Sequence, residues 1–367
     1  MSTALRFTIL LFLFTGISSL VSAQPTVEYY PGGQKKAEGA LVNGQREGLW
    51  YGFDEKGLKN EETWYHNGIK EGKTVRWFGN GQKEFEGSYS NGKLNGPAFW
   101  WTMEGKPDMS GKLVDDLQDS TWHFYHPNGA PGSTGLFVAG KQQGLWSYYY
   151  DSGEKWKEGL LRDNLKDGKW TFFYTDGKIH HTGEYVADKE NGIWVSWFQN
   201  GQVKDSGTYD TGRMVNCWKG WFENGKRQYI AHYQNGKKEG PYQAWFENGN
   251  RKSEGNYAND LKSGRWTDWY ENGQLSETGM WADGLRQGLW EYYDPDGHKI
   301  REESFRNGRQ HGRWVSYYAN GSEQGEGSFI DQKKDGIWQY WDQKGKLIYR
   351  AEFRDGEKIR EKTFGDK

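Results

Sequence analysis

Metal-binding and nucleophilic chemistry needs histidine, cysteine or carboxylate side chains at particular spacings, and this chain offers few candidates. His180-His181 and the pair His123 and His126 are its histidine groupings, and no cysteine or spaced carboxylate joins either in a metal-ligand pattern. They read as solvent-facing strand residues. Glutamates recur as Glu38, Glu62, Glu86, Glu158, Glu254, Glu302 and Glu326, as a carboxylate ladder for Ca²⁺ would require. On equivalent strands of successive hairpins, however, such side chains stand two strand spacings, ~9.6 Å, apart, too far to share one ion. They read as a solvated polar face. Cys217 is the single cysteine, so no internal disulfide forms, and a lone thiol at a variable position is read as inert. The many glycines are not followed by helices and so do not cradle phosphates. No catalytic, metal or cofactor site is expected, and no non-repeating insertion exists to carry one; the chain reads as a non-enzyme.

These residues are set out by a repeat. With the first glycine of GRWTDWYENGQLSETGMWADGLRQ (Gly264–Gln287) counted as place 0, that place recurs in unbroken steps of 24 residues from position 48 to position 336. Place 9 is glycine in every unit: Gly57, Gly81, Gly105, Gly129, Gly153, Gly177, Gly201, Gly225, Gly249, Gly273, Gly297, Gly321 and Gly345. Place 5 is always aromatic and place 17 always large and apolar, while 17 of the 21 tryptophans sit at places 2 and 5. A period in this range marks arrays, solenoids or propellers. A degenerate copy begins at Gln24, which makes fourteen units.

Each unit has the pattern of a hairpin. Places 2 to 6 are an aromatic run, places 8 and 9 are commonly Asn-Gly or Asp-Gly, and places 10 to 17 are a second run ending in a ring. A two-residue turn at Asn-Gly is the strongest short-range hairpin signal, because both residues tolerate the positive φ of a type I′ turn. That loop would set place 2 across from place 15, with Trp266 laid over Gly279 as a ring covering bare backbone. Places 2 and 5 would then point to opposite faces. The expected fold is all-β: an elongated array of tandem antiparallel hairpins, 28 strands in an open twisted sheet or solenoid. The alternative is a seven-bladed propeller, in which two units make one four-stranded blade.

Mean hydropathy of −1.04 and 27% charged residues resemble disorder, but 17% aromatic residues and 52 glycines do not. The core is expected to be made of rings. Lys and Arg number 48 against 50 Asp and Glu, a net charge of −2, so no basic excess points to nucleic acid or anionic lipid. Residues 1–23 carry Arg6, an apolar run and Val21-Ser22-Ala23, which reads as a secretory signal too short for a permanent membrane anchor. The expected organisation is a signal peptide over 1–23, repeats over 24–359 and a charged tail over 360–367. An exported protein, periplasmic, surface-bound or secreted, with no transmembrane segment in its mature chain, follows.

The units resemble the MORN repeat variant found in YwqK-type proteins labelled as antitoxins, on Gly192-Ile193-Trp194, Trp197-Phe198, Asn200-Gly201 and Gly207-Thr208-Tyr209. Departures include Ser120 and Asn216 at place 0 and Thr74 and Ala98 at place 2. The resemblance implies hairpins laid side by side as an interaction scaffold, and the antitoxin role fits poorly with a signal peptide. The expected binding surface is the place 5 stripe, whose longest run of tryptophan is Trp197, Trp221, Trp245 and Trp269. Among polar neighbours such as Lys219, Lys252 and Glu254, these rings are placed to meet a protein partner or, alternatively, a cell-envelope glycan.

Overall fold

The computed structural model describes residues 22–365, which contain thirty β-strands and no helix. The expected signal peptide lies almost wholly outside the described residues. The strands fall into two compact units, residues 22–140 and 141–365. In the first, eleven strands from Gln24–Tyr29 to Pro131–Val138 form an antiparallel meander, with one interruption at Asn95 between Lys93–Leu94 and Gly96–Trp101. In the second, nineteen strands from Lys141–Tyr149 to Glu357–Thr363 pair each with the next. No break falls after every fourth strand, and among the described residues Glu357–Thr363 pairs with Leu347–Arg354 alone. The sheet is open, which overturns the propeller.

The last strand also moves a boundary. Residues 360–363, expected in the tail, belong to Glu357–Thr363, where Arg360 reaches Glu352 on the neighbouring strand at 2.6 Å. A charged final strand suits a sheet edge, where unpaired backbone groups would otherwise recruit another chain.

The two turns of each unit exchange the roles expected of them. In the unit from Gly264, Tyr270 N–H donates to the Gln274 carbonyl and Gly273 N–H to the Tyr270 carbonyl, at 2.8 and 2.9 Å. These bonds enclose the three-residue loop Glu271-Asn272-Gly273, a type I turn followed by a left-handed glycine, Gly273 at φ +89°. The type I′ turn is the other one, at places 19 and 20, where Asp283 and Gly284 have φ of +50° and +74°. The expected register nevertheless holds, with Trp266 opposite Gly279. A bulge compensates for the extra loop residue, since Trp269 pairs with Leu275 but Asp268 with Glu277, leaving Ser276 as the residue added.

A second bulge decides where the core rings go. Between consecutive hairpins Glu254 pairs with Thr267 and Asn256 with Ser263, so that Gly264, Arg265 and Trp266 together oppose Gly255. Gly264 takes φ +68° there, and the Trp266 indole leans back onto Gly255 rather than onto Gly279, which lies beneath Trp290. The ring is 1% exposed, and its Nε1–H donates to the Asn256 carbonyl at 3.0 Å. The expected pairing within one unit is thus corrected to a pairing between units. Each hairpin buries its tryptophan on the preceding one, as a repeat too small to form a core alone must do.

Candidate binding surfaces

Alternation along each strand sorts the side chains into two faces. One carries places 2, 4, 13 and 17 and holds the tryptophan core; the other carries places 1, 3, 5 and 14.

The place 5 stripe lies on the second face. Trp197, Trp221, Trp245 and Trp269 are all half-buried. They do not stack on one another, since equivalent strands stand ~9.6 Å apart, and they form separate platforms. Hydrogen bonds from neighbouring hairpins hold the strand ends that carry this column: the Tyr174 hydroxyl donates to the Trp197 carbonyl at 2.8 Å, and Tyr270 does the same for Tyr293. The loops beside the column are tied by an asparagine ladder, in which Asn200 Nδ2 donates to the Glu223 carbonyl, Asn224 to Glu247 and Asn248 to Glu271. Trp221 borders a shallow hollow lined by Val195, Val203 and Ser206, and the Arg227 guanidinium lies 4.4 Å from its ring centre. On the strand Lys189–Trp197, Ile193, Val195 and Trp197 alternate along this one face, with Ile193 71% exposed.

The recurrent glutamates are on this face too, but they are not simply solvated. Each of Glu38, Glu62, Glu86, Glu158, Glu254 and Glu302 forms an ion pair with the base three residues before it, as Lys155 does with Glu158 at 2.6 Å and Arg251 with Glu254. The bulge at place 12 turns places 11 and 14 to the same side, which periodicity alone does not reveal. The same bases cover rings, Lys59 lying 4.6 Å from the centre of Trp77 and Lys83 5.1 Å from that of Trp101. Two lysines, Lys73 and Lys83, hold the Glu86 carboxyl below its ordinary range by hydrogen bonding.

The histidines divide. His123 is exposed, with Nδ1 3.1 Å from the Thr134 hydroxyl. His181, expected to face solvent, is stacked on Phe172 at 4.0 Å and faces Trp194 at 5.9 Å within the core ring stack. Desolvation, with lesser repulsion from His180 and Lys166, lowers its pKa to about 4. Place 13 pairs with place 4, as His181 does with Phe172, and by alternation it shares the core face with place 2. Cys217 is a free, partly exposed thiol paired across the ladder with His232.

One cluster escaped the sequence reading: Asp294, Asp296 and His298 bring ligand atoms within 4.8 Å of one another. Its signal was the alternate spacing in Asp294-Pro295-Asp296-Gly297-His298. The Asp294 carboxylate, however, already accepts the N–H groups of Asp296 and His298 at 3.0 and 2.8 Å. Asp54 and Asp342 close their turns in the same way over residues that could not ligate a metal. The arrangement is turn chemistry.

Among the described residues no helix is long and apolar enough to cross a membrane. A family model described as MORN repeat variant matches residues 166–187, 190–211, 214–235, 238–259, 262–283, 286–307, 310–331 and 334–355. Each matched segment spans one hairpin between successive type I′ turns. No curated protein sequence matches the chain. Solved structures similar to it include the crystal structure of TcdB2-TccC3, at 11% identity and a TM-score of 0.17, with 90% of this chain and 26% of that one covered. The crystal structure of TcdB2-TccC3-Cdc42 is similar at 10% identity and a TM-score of 0.13, over 91% of this chain and 26% of that one. The Photorhabdus luminescens Tc holotoxin pore is similar at 10% identity and a TM-score of 0.15, over 90% and 25%. The chain thus spans about a quarter of the length of these proteins, and likenesses at these scores say nothing about its sites.

Proposed function

The chain belongs to the MORN repeat variant family, and from that premise we propose that it is an exported, non-enzymatic scaffold that binds a protein partner through its tryptophan-bearing face. The observation that carries this reading is the apolar surface left open on that face. Ile193 is 71% exposed on the strand that carries Val195 and Trp197, and Trp221 stands beside them over the Val195 hollow. Large exposed apolar patches on soluble chains mark contact surfaces. The array of platforms suits a partner engaged at several points, with no bond made or broken.

Export rests on the apolar leader of residues 1–23. Fractionation of producing cells, with N-terminal sequencing of the product, should find a mature chain beginning at Gln24 outside the cytoplasm; a cytoplasmic chain retaining Met1 would refute export. For the partner, the test is capture from envelope extracts by the native protein and its Trp221→Ala and Trp245→Ala variants, beside a glycan array. Protein capture lost in both folded variants supports the reading. Glycan binding without protein capture would replace it by an envelope-glycan module.

A further inference from the structure

The core face repeats one arrangement that two neighbouring hairpins leave incomplete. At place 22 several units carry a base laid against the place 2 tryptophan that follows it. Arg46 lies 4.2 Å from the Trp50 ring centre, Lys262 4.0 Å from that of Trp266, Arg286 4.1 Å from that of Trp290 and Lys334 4.1 Å from that of Trp338. Three carboxylates stand at place 13, nine residues before place 22: Glu61, Asp205 and Glu277. Two of them hold that base, Glu61 taking Lys70 at 2.8 Å and Glu277 taking Arg286 through both oxygens at 3.0 Å. The third, Asp205, has Met214 where the base belongs, and one unit earlier place 22 is Glu190.

The rings left without their cation are Trp194 and Trp218. They are 8% and 5% exposed, whereas the other tryptophans docked on a preceding glycine are 0 to 2%. Other units also lack the base, at Leu94, Gln118, Gln142 and Gln310, but their place 13 residues are Phe85, Met109, Ser133 and Arg301, so no carboxylate is left behind there. Place 4 rings stand beside two of their tryptophans, Phe124 at 5.9 Å from Trp122 and Tyr148 at 6.0 Å from Trp146. Asp205 instead faces Ser196 and Gly220 at place 4 across its two ladders. Tyr229 covers Gly220, but Ser196 fills little, and a hollow opens between Trp194, Tyr209 and Trp218 with Glu190 and Asp205 at its border. Neither carboxylate forms an ion pair among the described residues, and burial, then both their charges, raise the pKa of the half-buried Tyr209 hydroxyl. Lys204 also borders the hollow, exposed and 5.9 Å from the Phe198 ring centre. His181, with a pKa of about 4, is uncharged at neutral pH, and burial lowers His180 below its ordinary value. Two negative charges thus stand against one positive.

We propose that this hollow receives the side chain of a lysine or arginine from a partner protein, its charged head held by Asp205 and Glu190 against Tyr209 and Trp218. One added cation balances the charge. It meets there the ring and carboxylate types that the chain's own Arg286 meets at Trp290 and Glu277. Ring faces attract such a head, and carboxylates accept its N–H groups in charge-assisted hydrogen bonds. A quaternary ammonium has no N–H to donate and forgoes those bonds, while a neutral side chain forgoes both attractions. The contact lies on the face opposite the tryptophan stripe, and it shares with the function proposed above only that the partner is a protein.

The test follows the indole N–H signals of Trp194 and Trp218 by NMR in the isotope-labelled full chain as Nα-acetyl-lysine methylamide, or its arginine, norleucine or trimethyl-lysine analogue, is added. Saturable shifts are expected with the lysine and arginine compounds, none with norleucine, and an affinity lower by about tenfold or more with trimethyl-lysine. Met214→Arg and Glu190→Lys each put the chain's own cation where other hairpins carry it. Each should abolish the lysine shifts with the melting temperature kept. Equal shifts with norleucine, or lysine binding undiminished in both variants, would overturn the proposal, and equal affinity for trimethyl-lysine would overturn it in favour of a quaternary ammonium. The norleucine comparison is made on the native chain, so it decides even where a variant unfolds. Because the probe is a small derivative, its failure leaves the reading of the tryptophan face standing, and failed partner capture leaves this one.

Discussion

The Trp266 indole rests on Gly255 of the preceding hairpin so closely that a Cβ built there would stand 2.3 Å from the ring. The same contact joins Gly39 to Trp50, Gly159 to Trp170 and Gly327 to Trp338. Gly255→Ala must therefore push the ring out of its site, a cost of about 1 to 3 kcal/mol. The chain contains its own remedy, since Ala231 occupies this place opposite Tyr242. A Gly255→Ala, Trp266→Tyr double variant should regain part of the loss in a denaturation cycle. Strict additivity of the two changes would show that ring and glycine are not coupled.

That coupling was present in the sequence, displaced by one unit from where the hairpin reading placed it. Trp50 faces Thr63 across its own hairpin, but Thr63 and Thr74 vary together, and their hydroxyls lie 3.1 Å apart in the buried core. Period, strand pairing and the facing of places 2 and 5 follow from the spacing of rings and glycines alone. The direction in which a ring leans depends on the three-against-one bulge at place 0, which alternation does not encode. The place 12 bulge hid the pairing of Lys155 with Glu158 for the same reason.

Gly273 has φ +89°, and a β-branched side chain in that region costs about 1 to 3 kcal/mol. Gly273→Val should lower the melting temperature well below that of Glu271→Val, a substitution in the same loop at a residue without a left-handed φ. Equal midpoints would show that the loop readily adopts another turn.

His181 couples stability to pH. Its folded pKa of about 4 lies below the ordinary unfolded value near 6.5. Between these values the unfolded chain binds more protons, so stability falls as pH drops from about 6.5 to about 4 and is fully present above that window. Because the ring is partly exposed, solvent screening reduces the effect to the order of 1 kcal/mol. His181→Phe, which places there the ring that Phe85 supplies elsewhere, should flatten this part of the profile. Carboxylates titrate in the same range, so the measured quantity is the difference between the two proteins across the window. An unchanged difference from pH 7 to pH 4 would show that His181 contributes nothing.

The tryptophan platforms make the most direct claim on function. Trp221 is half-buried between the Arg227 guanidinium and the Val195 hollow, whereas Trp266 is 1% exposed against the preceding hairpin. Truncating a buried core ring costs about 3 to 5 kcal/mol, so Trp266→Ala should act mainly on stability. Trp221→Ala removes a partly solvated ring and should cost less, while an aromatic anchor at the centre of an interface contributes 2 kcal/mol or more to binding, roughly thirtyfold in affinity. The two variants should therefore separate on a plot of melting temperature against partner capture. If Trp221→Ala loses as much stability as Trp266→Ala while capturing the partner normally, the stripe is core alone and the contact surface lies elsewhere.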